Sequence, residues 1–151
     1  MTGFYYVINA IRNHLKNNGF INTVTTGDIF EVDLAKQTIY PYCHIIVNSA
    51  IPREQTITTN LSVIFMDIVD ISKLESTDVF DGNDNLLDVL NTQLDLANKL
   101  IMDLRRGDMF ENLLQLEGDA NCEPFTDRFE NKVAGWTVTF DLNIPNTMTI
   151  C

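Results

Sequence analysis

The sequence predicts an α+β domain: an antiparallel sheet of about five strands with two amphipathic helices packed on it. Three observations lead there. The stretch "GWTVTFDLNIPN" at 135–146 alternates Trp136, Val138, Phe140, Leu142 and Ile144 with Thr137, Thr139, Asp141 and Asn143, the period of a strand with one buried face. Apolar residues recur at helical spacing near 4–18 and again near 86–105. The remaining apolar segments are extended, giving the order helix, three strands, helix, two strands.

In the first helix the stripe is Phe4, Ile8, Ile11 and Leu15, with Val7 beside it and Arg12, Asn13 and Lys16 on the polar side. Asn18-Gly19 is expected to end it with glycine in the left-handed conformation and Phe20 folded back as hydrophobic partner. Phe30, Val32 and Leu34 alternate with Glu31 and Asp33, predicting a strand entered from a turn at Gly27-Asp28. The next extended segment contains Pro41, which cannot donate to a ladder, so its paired part should run over 42–48, with a loop at 51–54.

From 56 to 69 one long strand carries Ile57, Leu61, Val63 and Phe65 on one side. Its other side changes from Thr58, Asn60 and Ser62 to Ile64, Met66 and Ile68. That second half should be covered on both faces, by a helix on one and a neighbouring subunit on the other. The second helix has Leu87, Leu90, Leu94, Ala97, Ile101 and Leu104 in its stripe, widened by Leu86 and Leu100. Arg105 and Arg106 in its last turn complement the helix dipole, and Gly107 ends it. A turn with Phe110, Leu113 and Leu114 and an extended piece over 115–128 precede the final strand.

A length of 151 residues fits one domain, 1–151, able to bury a core without a disulfide or metal staple. No apolar run approaches the roughly 18–20 residues of a membrane span. The N-terminus lacks a basic region followed by an apolar stretch, so no secretory signal is expected. Cys43, Cys122 and Cys151 form no CxxC pair, and neither they nor His14 and His44 have metal-site spacing, so reduced thiols are expected. The formal charge of −11 argues against a nucleic-acid reader, whose affinity comes chiefly from Lys and Arg, and against anionic membrane surfaces.

Candidate chemistry is sparse. Asp81, Asn83 and Asn85 have the spacing of a calcium loop, but Leu86 stands where glycine and Thr92 where glutamate should be; a helix N-cap explains them better. Cys43 and His44 are adjacent in a strand and point to opposite faces, so they make no nucleophile–base pair. His44 is expected to be partly buried with a local hydrogen bond, and His14 to face solvent. No GxSxG, HExxH or P-loop pattern occurs. The expectation is a protein that is not an enzyme, with no catalytic residue, cofactor or metal.

With the elements in this order the chain resembles the tail-terminator and neck proteins of tailed bacteriophages. The likeness rests on the N-terminal helix, "VDLAKQTIYPYCHIIVNSA", "LDLANKLIMDLRRG" and "AGWTVTFDLNIPN". The last two look especially like head–tail connection proteins in phages of Bacteroidota, including the crAss-like group. The resemblance implies a virion protein assembled in the host cytoplasm as a homo-oligomeric ring, sixfold or twelvefold, at the head–tail junction. Its partners would be copies of itself, portal-adaptor or neck proteins and tail proteins, with double-stranded DNA passing through and no membrane. A tail-tube-like protein is the nearest alternative, and a soluble α+β ligand-binding domain or enzyme a more distant one.

The acidic segment at about 70–85 lies outside the resemblance. It exceeds the usual connection of about 4–6 residues and holds Leu74, Val79 and Phe80, wasteful in a loop that meets only water. It is expected to be an arm whose Val79 and Phe80 insert into a neighbour while Asp78 and Asp81 face a basic partner or the lumen. Trp136, the single tryptophan, reads as a core anchor or as an interface anchor.

Overall fold

A computed structural model of the chain describes residues 4–27, 41–68, 86–107, 114–128 and 133–146. Helix α1 spans Phe4–Lys16, strand β1 Thr23–Thr26, β2 Tyr42–Pro52, β3 Thr56–Ile68, helix α2 Leu86–Arg106, β4 Gln115–Arg128 and β5 Val133–Pro145. The five strands make one sheet in the order β1-β2-β3-β5-β4. The class is α+β as predicted, with one correction. The sheet is mixed, because β1 runs parallel to β2, Thr23 opposite Tyr42 and Thr26 opposite Ile45. Only a tight hairpin dictates antiparallel pairing, and the chain between β1 and β2 is long enough for a parallel crossover. The expected strand at Phe30, Val32 and Leu34 lies outside the described residues; β1 itself, "TVTT", was not expected.

The last strand occupies the interior of the sheet. It pairs with β3 from Thr56↔Pro145 to Ile68↔Val133 and with β4 on its other side. Its alternation therefore sorts side chains between two faces. Val138, Phe140, Leu142 and Ile144 join Leu61, Val63 and Phe65 of β3 and meet apolar residues of both helices in the main core. Gly135 is required where β5 crosses β3, since a Cβ there would lie 1.8 Å from the Phe65 carbonyl oxygen. Pro124 is tolerated because β4 is an edge strand.

The opposite face carries a smaller cluster of Tyr42, Ile64, Met66, Phe125 and Val133. The second half of β3 is thus buried on both faces, as its sequence suggested. Met66 and Tyr42 are already fully buried in the single chain, so no neighbouring subunit is needed to cover them.

Four local expectations are corrected. Gly19 is not left-handed; Asn18 ends α1 by accepting the Phe20 N–H on its side-chain oxygen at 3.0 Å, and Ile21 rather than Phe20 is buried. Strand β2 continues through Pro52, so the loop at 51–54 shrinks to a tight turn in which Arg53 N–H donates to the Thr56 carbonyl at 2.7 Å. In α2 the exposed Leu87 and Leu94 leave the stripe, and Val89, Gln93 and Leu96 face inward instead. His14 does not face solvent, because α1 and α2 pack closely enough to place its Nδ1 3.1 Å from Asp103 Oδ2.

Candidate interaction surfaces

Helical spacing places Phe4, Ile8 and Arg12 in one row along α1, with Tyr5 and Asn9 beside it. This row forms one wall of an open groove of about 750 Å³ whose other wall is Thr26, Gly27, Ile46 and Val47. Phe4 and Tyr5 are 54% and 76% exposed and touch edge to face, with ring centroids 6.1 Å apart. The Arg12 Nε is buried without an acceptor, and no ion pair engages Arg12 among the described residues. The sequence placed Arg12 on the polar side of α1; its position four residues after Ile8 was the available sign that it borders the apolar stripe.

The groove ends on a rigid corner. His44, fully buried, has Nε2 2.6 Å from the Gly27 carbonyl oxygen and Nδ1 2.5 Å from Thr25 Oγ1. A carbonyl only accepts, so Nε2 carries the proton and Nδ1 accepts from the Thr25 hydroxyl. Thr25 Oγ1 in turn bonds the Tyr42 hydroxyl. This chain pins the short parallel strand β1 to β2 in register. It is the local hydrogen bonding expected of His44, and Cys43 points the other way into the main core.

A row of short polar side chains crosses the face opposite the helices. Asn48, at the bulge of β2, donates to Asn60 Oδ1 and Ser62 Oγ, both at 2.8 Å. Asn60 donates to Asp141 at 2.7 Å, Ser62 and Thr139 bond at 3.1 Å, and Thr58 donates to Asn143 at 2.5 Å. These groups satisfy one another and specify the register of β2, β3 and β5. On the β4 edge Arg105 donates to the Gly118 carbonyl at 2.8 Å and to Asp119 at 3.0 Å, fixing a bulge whose Gly118 has φ 69°.

Of the predicted interface residues, Trp136 is half-buried on the helix side and donates its indole N–H to the Leu90 carbonyl at 2.8 Å. Asp78, Val79, Phe80 and Asp81 lie outside the described residues, as do Asn83 and Asn85. Among the described residues no group of three or more His, Cys, Asp or Glu is placed to hold a metal. No helix among them is long and apolar enough to cross a membrane. No protein-family model matches the chain, and no curated protein matches it in sequence.

Proposed function

We propose that the chain is a structural subunit of a phage virion, which packs with copies of itself into a ring at the head–tail junction. In this reading the ring, sixfold or twelvefold with the portal, joins the portal-adaptor complex to tail proteins and lets double-stranded DNA pass. The observation that supports it best is the groove beside β2. Exposed Phe4 and Tyr5 adjoin a stretch of β2, 46–52, that has β3 on one side and no described strand on the other. An apolar face next to an open strand edge is the kind of surface that side-by-side packing in a closed ring covers. The charge of −11 suits a wall along which DNA slides without sticking. The roles assigned here are contacts, not catalysis.

Imaging of virions assembled with and without the chain tests this reading. A ring at the junction in its presence, and heads that fail to join tails in its absence, are the expected results. Normal joining without the chain sinks it, and polymerisation of the purified chain into long tubes favours the tail-tube alternative. A second reading draws on the same groove: its volume of about 750 Å³ and its Arg12 suit a small amphipathic carboxylate. Stabilisation of the purified chain by medium-chain fatty acids, lost on Arg12→Gln, favours that reading instead.

A further inference from the structure

The chain holds a single Asn-Gly pair, Asn18-Gly19, and it lies just past the end of α1. A side-chain amide and the peptide nitrogen that follows it can close a cyclic imide wherever that nitrogen is unhindered. Glycine leaves it so, having no Cβ and a freely turning backbone. The fold restrains neither group. Gly19 is exposed, and its N–H has no hydrogen-bond partner among the described residues. Asn18 borders an open cleft of about 400 Å³ between α1 and α2, shared with Phe20, Asp95 and Lys99.

The hydrogen bond that ends α1 also prepares the amide. Phe20 N–H donates to Asn18 Oδ1 at 3.0 Å. A donor there draws charge onto the oxygen and holds the oxyanion that forms when the amide carbon is attacked. It also fixes which way the amide lies, with Nδ2 turned away and without an acceptor among the described residues. We infer that Asn18-Gly19 is a site of self-modification in the folded protein. The Gly19 nitrogen bonds to the Asn18 side-chain carbonyl carbon and gives up its proton, and Nδ2 takes a proton and leaves as ammonia. Water then opens the imide at either carbonyl, giving aspartate or isoaspartate. In isoaspartate the main chain runs through the side-chain carbon. The carbonyl that accepts the Ile21 N–H at 3.2 Å then becomes a free carboxylate. That charge falls at the C-terminal end of α1, where the helix dipole disfavours it, and just before Ile21 enters the main core.

Peptide mapping of the full-length chain, sampled during incubation in neutral buffer, tests it. Conversion at Asn18 should outrun that at every other asparagine by about tenfold or more, since no other precedes glycine. Isoaspartate must be among the products, because only the imide leads to it; aspartate alone means direct hydrolysis by water and overturns the inference. Gly19→Ala should slow conversion by about tenfold or more. A Cβ at Gly19 meets nothing within 4 Å and the residue's φ is not positive, so this variant keeps the fold. Conversion as fast in Gly19→Ala as in the wild type overturns the inference. The contribution of the fold is read by repeating the incubation in urea. A site left free by the structure reacts within about tenfold of its unfolded rate, whereas a protected one waits for local opening. Protection beyond that factor, or an Asn18 that does not convert in the folded chain, overturns the inference.

Discussion

Trp136 donates its indole N–H to the Leu90 carbonyl oxygen at 2.8 Å, fastening the interior strand β5 to the first turns of α2. The acceptor belongs to a helical peptide group that already serves the N–H four residues on, so losing the tryptophan leaves no orphaned carbonyl. Trp136→Phe should therefore cost only the net value of one hydrogen bond, about 0.5–1.5 kcal/mol in denaturant melts. A loss several times larger would mean that packing of the indole, not its N–H, joins the two elements.

Gly135→Ala should be far worse than its size suggests. The new methyl would sit 1.8 Å from the Phe65 carbonyl oxygen and 2.8 Å from its carbon, and both belong to backbone that cannot rotate away. The β3–β5 pairing must open locally, so a loss at or above the top of the usual overpacking range of about 1–3 kcal/mol is expected. A melting temperature equal to the wild type's would show that the two strands are further apart than described.

Gln93 presents the reverse case. It is fully buried on α2, and neither its Oε1 nor its Nε2 has a hydrogen-bond partner. An amide in that position carries its desolvation cost uncompensated, so the similarly shaped Gln93→Met should stabilise the chain by about 1–2 kcal/mol. Destabilisation of the same size would reveal a buried water serving the amide.

Acid should loosen the contact between the helices. Burial lowers the pKa of His14 below its ordinary 6.5; Asp103 opposes this and Lys99 adds to it. A lowered value means that the unfolded chain binds the proton more readily, so this stability is present above pH 6.5 and is lost as pH falls through the folded pKa. His14→Gln removes the dependence, and its deficit against wild type should shrink between about pH 7.5 and 5.5. A deficit that grows instead would show Asp103 outweighing burial.

Cys43 should be inert in the native protein. Its side chain is fully buried in the main core and burial pushes the thiol pKa well up, starving it of the reactive thiolate. Burial also raises Cys122, but that residue is only partly covered. Peptide mapping after iodoacetamide treatment should find Cys122 modified before Cys43, which should react only in denaturant. Equal labelling of the two without denaturant would contradict the assigned face of β2.

Both helices, the class of the fold and the buried face of β5 were legible from the sequence, because each depends on a period repeated over many residues. Ile57, Leu61, Val63 and Phe65 announced their shared face in the same way, and so did the change from Thr58, Asn60 and Ser62 to Ile64, Met66 and Ile68. What tertiary structure decided were relations between segments. The parallel direction of β1 is one, since four residues cannot encode which neighbour they will meet or in which sense. The inward turn of Gln93, the outward Leu94 and the approach of His14 to Asp103 are others, set by how α1 and α2 dock rather than by either helix's own pattern. The same holds for the groove. Phe4, Tyr5 and Arg12 lie on one helix, but only the placement of that helix against β1 and β2 leaves the guanidinium at the rim of an apolar surface with its Nε buried and no ion pair among the described residues.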